Sequence, residues 1–429
     1  MTLQSVFRLV RSAVVAGVCV GSAGASFAAT AGPATIPGGR YGDVTVTQPV
    51  GPLRGFVVLY SQASGWSAAD QQNADALARA GALTVGVDTA RYIANLHAKQ
   101  ETCHQLVGDA EALSHQLERQ SQSSHYFAPI VAGIGQGGTL AVHVLEQAPS
   151  NTIAGAVSVD ADRTLDSRFE PCPPDSTIIR DKVPGFVEKA VGAGDASNAR
   201  LVALLTPHLE AVSTNADDVS DLPLIELPAA HPNGLMAIVI SGDGGWRDLD
   251  KTIAQALQKD GVSVIGWDSL RYFWSEKPPA QTSRDLARVM QTYGARWHAQ
   301  HIALVGYSFG ADVMPFAYNR LPASLRAQVP LIALLGFAPD ADFQIRVGGW
   351  LGMPASDKAL KVQPELKPIE PAMVQCFYGE NEKDTLCPAL ANTGIDVIRT
   401  SGDHHFGGNY NSLEQHILTA FKKRSGVPN

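Results

Sequence analysis

The stretch Leu304-Val305-Gly306-Tyr307-Ser308-Phe309-Gly310-Ala311-Asp312 decides how this chain is read. The apolar run 302–305 reads as a buried strand, and 311–319 is helix-competent. Between them stands Gly-x-Ser-x-Gly. A serine on so tight a strand-to-helix turn sits in a strained backbone conformation, so its neighbours must lack bulk, and Gly306 and Gly310 supply that. The helix start behind Ser308 adds a favourable dipole for a developing anion. A glycine-rich turn before a helix can be purely structural, and it is the flanking strand and helix that favour a catalytic elbow.

The amino terminus reads as an address. Arg8 and Arg11 precede an apolar, small-residue run over 13–25, and Ser26-Phe27-Ala28 offers the small residues of a cleavage site. Residues 1–28 therefore read as a secretory signal peptide, and the mature chain is expected in the periplasm. Cys19 follows Val18, which is not the small residue that lipoprotein processing wants. No other stretch approaches the ~20 apolar residues of a transmembrane span. Loss of Arg8 and Arg11 takes the formal net charge from −8 to about −10. That balance argues against nucleic acid and against passive adsorption to anionic lipid, and it accommodates a cationic substrate. Cys103, Cys172, Cys376 and Cys387 remain, an even count that suggests disulfides in an exported chain, with Cys376 and Cys387 closing a short loop. No Cys/His spacing resembles a zinc site, and neither metal nor cofactor is expected.

The chain also repeats itself. Gly65-Trp66 recurs as Gly245-Trp246, and Val85-Gly86-Val87-Asp88-Thr89-Ala90-Arg91-Tyr92 recurs as Ile265-Gly266-Trp267-Asp268-Ser269-Leu270-Arg271-Tyr272 at the same offset. Gly133-Ile134-Gly135-Gln136-Gly137 takes the elbow position of the first copy, with Gly135 in place of the serine. A phosphate-cradling loop is the competing reading there, but no Lys-Ser/Thr follows it. Strands alternating with helices imply mostly parallel sheets with functional sites at the carboxyl ends of the strands. The expected architecture is α/β, with tandem α/β-hydrolase-like domains. Residues 29–220 form a degenerate copy without a nucleophile, and 221–429 form the catalytic copy. The polar stretch 213–221 fits a linker.

In the second copy strands are expected at 224–227, 236–241, 262–268, 302–307, 331–337, 374–378 and 396–400, and helices at 248–259, 283–298 and 412–423. A serine needs a base, and the base needs an acid to hold its tautomer; the fold's order is Ser, acid, His. Asp384, in the loop after 374–378, is the expected acid, with Glu380 and Glu382 as alternatives. Two adjacent histidines point to different sides, so only one can reach Ser308; His404 is the expected base by analogy with related Asp-His-aromatic segments, and His405 is the alternative. The oxyanion hole needs two backbone N–H groups, expected from Phe309 and from Asp243 in Ser241-Gly242-Asp243-Gly244-Gly245-Trp246. Asp312 and the Asp243 side chain are candidate carboxylates for a substrate amine, though a helix-start role suits Asp312 equally. Asp340 and Asp342 add to an acidic rim, and as a metal pair they lack partners. The apolar segment Trp350-Leu351-Gly352-Met353-Pro354 is a candidate lid, ordinary packing being the competing reading.

Ser-Gly-Asp-Gly-Gly-Trp (241–246), Asp-x-x-Arg-Tyr-Phe-Trp (268–274), Gly-Tyr-Ser-Phe-Gly-Ala-Asp (306–312), Cys-Phe-Tyr-Gly-Glu (376–380) and His-His-Phe-Gly-Gly-x-Tyr (404–410) together resemble the bacterial virulence proteins of the VirJ/AcvB family. The two-copy layout is similar to the long, AcvB-like form. The resemblance implies a periplasmic serine hydrolase acting on aminoacyl-phosphatidylglycerol, cutting the ester between the amino acid, commonly lysine, and the lipid headgroup. It puts the nucleophile on Ser308, the base on His404 and the acid on Asp384. It also implies an aminoacyl phospholipid at the membrane surface as partner and a link to secretion or virulence machinery. Two other classes stay open: a generic carboxylesterase, and a non-catalytic binding protein that keeps the fold as scaffold.

Overall fold

The computed structural model describes residues 33–427 apart from 100, 150, 174–183, 193–195, 210–218 and 347–355. The signal segment 1–28, most of the polar stretch 213–221 and the candidate lid 350–354 lie outside the described residues.

Two seven-stranded sheets carry the described chain. The first is built from β1 (Ala34–Pro37), β2 (Asp43–Thr47), β3 (Gly55–Tyr60), β4 (Ala82–Val87), β5 (Ile130–Ile134), β6 (Gly155–Val159) and β7 (Phe186–Ala190), in the order β1-β2-β4-β3-β5-β6-β7. The second uses β8 (Leu224–Leu227), β9 (Leu235–Ile240), β10 (Ser263–Trp267), β11 (His301–Tyr307) and β12 (Leu331–Leu335). A small antiparallel pair, β13 (Asp340–Ala341) and β14 (Leu360–Lys361), stands apart, and β15 (Val374–Gly379) and β16 (Asp396–Thr400) complete the sheet in the order β16-β15-β12-β11-β9-β10-β8. Only β1, β2 and β8 pair antiparallel within these two sheets. The central strands are apolar throughout and buried along their length, as parallel strands covered on both faces must be.

The covering helices of the first half are α1 (Ala68–Arg79), α2 (Thr89–His97), α3 (Val107–Gln120), α4 (Gln136–Gln147) and α5 (Ala196–Leu205). Those of the second are α6 (Asp248–Lys259), α7 (Ser269–Tyr272), α8 (Pro279–Arg296), α9 (Phe309–Asn319), α10 (Ala323–Arg326), α11 (Gln363–Leu366) and α12 (Tyr410–Ser425). Helix α8 begins four residues before the expected start, because Pro279 at its first turn has the φ a helix needs and no N–H to satisfy. Helix α9 likewise starts at Phe309, directly behind the serine.

The repeat holds at the level of single hydrogen bonds. Asp88 accepts from Arg91 N–H at 2.9 Å, and Asp268 accepts from Arg271 N–H at 3.1 Å. Tyr92 donates to Asp109 and Tyr272 donates to Asp285, both at 2.6 Å. Trp66 lies against Gly86 and Trp246 against Gly266, where a side chain would strike the indole. The halves differ at the far edge. By sheet position β3, β4, β5, β6 and β7 correspond to β9, β10, β11, β12 and β15, and among the described residues nothing in the first half corresponds to β16.

Cys376 and Cys387 form a disulfide, as the short spacing suggests, and Cys103 pairs with Cys172 across 69 positions. The two halves also share packing. Tyr126 of the first half belongs to the same buried cluster as Trp267, Trp274 and Leu286 of the second.

Candidate active site

Ser308 closes β11 and caps α9 with φ 50° and ψ −119°, a conformation that L side chains rarely adopt. What holds it there is a close approach of backbones. A Cβ on Gly306 would lie 2.5 Å from the Gly310 carbonyl oxygen, and one on Gly310 would strike the end of β9. Gly135 at the end of β5 has nearly the same geometry, φ 59° and ψ −123°. The first half therefore keeps the elbow and lacks the hydroxyl.

Behind Ser308, His404 comes from the loop that follows β16, at the carboxyl end of the sheet. Its Nε2 lies 2.9 Å from Ser308 Oγ, and its Nδ1 lies 2.6 Å from Glu382 Oε1. The Glu382 side chain is 5% exposed. The acid in contact with the histidine is thus Glu382 and not the expected Asp384. The reason is the turn after β15. Glu382 N–H donates to the Gly379 carbonyl at 2.9 Å, and Gly379 N–H donates back to Glu382 Oε2 at 3.2 Å. This closure folds the Glu382 carboxylate over the strand end, whereas Asp384, two residues on, is exposed and makes no hydrogen bond among the described residues. Glu380 points away and pairs with Arg399 at 3.1 Å.

His405 does not reach Ser308. Its Nδ1 lies 3.1 Å from the Tyr307 hydroxyl, and its backbone N–H donates to Asp403 at 2.9 Å. Tyr307 also approaches the His404 carbonyl at 3.3 Å and packs its ring against the His404 ring, 5.3 Å between centroids. It thereby steadies the loop that carries His404, a role the motif did not advertise. Burial pushes the Tyr307 hydroxyl up, so it stays a donor at any working pH.

The turn 241–246 faces Ser308 from the end of β9: a Cβ on Gly242 would lie 3.6 Å from Ser308 Cβ, and Gly245 N–H closes onto the Gly242 carbonyl at 3.1 Å. Phe309 opens α9, so its N–H is one of the donors left free at a helix start. Asp312 does not turn toward a substrate. Its Oδ1 accepts the Ala338 N–H at 2.8 Å, tying the first turn of α9 to the loop after β12. Burial holds its carboxyl well above the usual range against that hydrogen bond, and Asp243, Glu382 and Asp340 push the same way. The N–H it engages belongs to that loop and not to the first turn of α9. Asp340 and Asp342 are also engaged, with Lys361 at 2.7 Å and Arg346 at 3.1 Å. No cluster of three or more potential metal ligands occurs among the described residues.

Ser308 and His404 open into a cavity of about 810 Å³. Asp243, Asp248 and Asp250 line it from the turn after β9 and the start of α6, and Arg247 is the one arginine lining it among the described residues. Burial pushes the Asp250 carboxyl well up and the Arg247 guanidinium down. The first half reaches this cavity too, through Glu111, Ala112 and His115 of α3. Nothing in the sequence pattern pointed to that contact, which is purely tertiary. Chemically, the arrangement suits serine-hydrolase work: a hydroxyl, an imidazole in reach of it, and a carboxylate on the far nitrogen of that imidazole.

The sequence model of the family described as bacterial virulence protein (VirJ) matches residues 55–153 and 234–425. No curated protein matches the chain by sequence. Among solved structures, Est1E from Butyrivibrio proteoclasticus is 14% identical with a TM-score of 0.34, covering 47% of this chain and 93% of that one. The esterase domain of a Rhodothermus marinus protein is 16% identical with a TM-score of 0.32, covering 47% and 91%. A predicted CIB-like hydrolase from Thermoplasma acidophilum is 14% identical with a TM-score of 0.33, covering 48% and 95%.

Proposed function

The chain belongs to the VirJ family of bacterial virulence proteins, and from that premise we propose that it is a serine hydrolase cleaving the aminoacyl ester of aminoacyl-phosphatidylglycerol in the periplasm. The observation that carries the reading is the unbroken relay from Ser308 Oγ through His404 to Glu382 at the mouth of an acidic cavity.

The chemistry follows from the geometry. Ser308 Oγ attacks the ester carbonyl carbon while His404 Nε2 takes its proton, and Glu382 stabilises the imidazolium through Nδ1–H. The negative charge on the carbonyl oxygen falls toward the N–H groups of Phe309 and Asp243, our proposed oxyanion donors. Collapse breaks the bond to the glycerol oxygen of the headgroup, which leaves as phosphatidylglycerol with the proton from His404. Water, deprotonated by His404, then releases the amino acid and restores the serine.

The substrate class rests on three supports. The family resemblance implies it. The cavity is lined by carboxylates that suit a protonated amine, though by Asp243 and Asp248 rather than Asp312. The two disulfides fit an exported chain, and no described helix is long and apolar enough to cross a membrane. A serine-reactive fluorophosphonate tests the hydrolase step directly. The full-length protein should be labelled at Ser308, and Ser308→Ala should not be. Absence of labelling in a folded wild-type protein would return the chain to the binding-protein class.

A further inference from the structure

Helix α3 belongs to the half without a nucleophile, yet Gly108, Glu111, Ala112 and His115 face the cavity that holds Ser308. It is fastened there at both ends. Glu111 accepts from the guanidinium of Arg247, the residue that precedes α6. Near the other end Arg119 donates to the Trp274 and Ile345 carbonyls and lies over the Trp274 ring, 3.8 Å from its centroid.

The repeat shows that the Arg247 contact is specific to the second half. In the first half the equivalent position is Ser67, which caps α1 in a reciprocal capping box with Asp70. Asp250 still stands at the Asp70 position, but Arg247 makes no side-chain cap bond. A stabilising cap has given way to an ion pair directed at the other half, beside the nucleophile.

We propose that α3 is the specificity wall of the Ser308 site. Gly108 and Ala112, one turn apart, set the room for the aminoacyl part of the ester, and the Glu111–Arg247 bridge fixes how far the wall stands from the nucleophile. This rests on the reading of Ser308 as nucleophile. The cavity side of α3 is open: a Cβ on Gly108 would meet nothing within 4 Å, and Ala112 is exposed, so bulk added there enters the cavity and not a packed core. The first half would then be retained for the wall it lends, after its own elbow fell out of use.

The test uses the full chain. Ala112→Trp should lower kcat/KM for a lysyl ester about thirtyfold or more, chiefly through KM. It should cost a small acetate ester at least tenfold less than the lysyl ester and still permit fluorophosphonate labelling of Ser308. Arg247→Ser, which restores the capping residue of the first half, should keep or raise Tm and still raise KM for the lysyl ester at least threefold; a merely structural arginine would not separate the two. Should Ala112→Trp fail to fold, Ala112→Cys in a Cys19→Ser background provides an accessible thiol beside four disulfide-bonded cysteines. Methanethiosulfonates of increasing size should then depress lysyl-ester turnover stepwise. Lysyl-ester kinetics unchanged by bulk at position 112, or falling in parallel with the acetate ester, would overturn the wall. Loss of Ser308 labelling in the unaltered protein would instead strike the hydrolase reading, and the wall with it.

Discussion

Consider Glu382→Gln beside Asp384→Asn. In the structure Glu382 Oε1 lies 2.6 Å from His404 Nδ1, and its side chain is 5% exposed, so water replaces little of what the carboxylate does. A glutamine fits the same space, but its amide can donate to Nδ1. That places the imidazole proton on Nε2, where it faces Ser308 Oγ and can no longer accept from it. The imidazolium formed during attack also loses its counter-charge. Loss of the acid in such a relay typically costs ~10³–10⁴ in rate, or ~4–5.5 kcal/mol of transition-state stabilisation. Asp384 is exposed and away from His404, so Asp384→Asn should stay within about twofold. Steady-state kinetics on a chromogenic ester, with Tm measured in parallel, decides between them. A large loss from Asp384→Asn with Glu382→Gln near normal would refute the relay as described.

Gly135→Ser, made in a Ser308→Ala background, should not be labelled by fluorophosphonate, because no described strand of the first half corresponds to β16 and its base-bearing loop. Labelling at position 135 would show a base we have not found. A lysyl ester with free amines should be preferred roughly tenfold to a hundredfold over its N-acetylated form, the range expected of one charge-assisted contact of ~1.5–3 kcal/mol. Asp243→Asn should narrow that ratio, and equal rates for the two esters in the wild type would remove cation recognition. Glu414 is buried, and burial raises its carboxyl to about 7, so the fold favours its protonated form. Its stability cost sets in above the unfolded carboxylate pKa and is complete once pH passes the folded value. Glu414→Gln should therefore add on the order of 1 kcal/mol at pH 8 and little at pH 4, read from denaturant midpoints. An equal gain at both would contradict the burial argument.

The elbow was legible because its requirement is local: a serine at positive φ needs Gly306 and Gly310, and the sequence prints all three together. The tandem sheets were legible because the Trp–Gly contacts and the Asp-x-x-Arg-Tyr caps leave identical letters in both halves. Glu382 and Asp384 are not told apart by sequence for a different reason. Three acids crowd 380–384, and only closure of the turn onto Gly379 decides which one faces His404. Asp312 illustrates the same limit, since the Ala338 N–H that engages it lies 26 residues away. The contribution of α3 to the cavity has no local signature at all, because Glu111 and Arg247 are 136 positions apart.

Hydrolysis itself is measured by incubating the purified full-length protein with vesicles containing lysyl-phosphatidylglycerol and following both products by mass spectrometry. Free lysine and phosphatidylglycerol should appear in equal amounts, released by the wild type and not by Ser308→Ala. Intact lysyl-phosphatidylglycerol under conditions where a fluorophosphonate labels Ser308 would contradict the proposed reaction and leave a serine hydrolase of another ester.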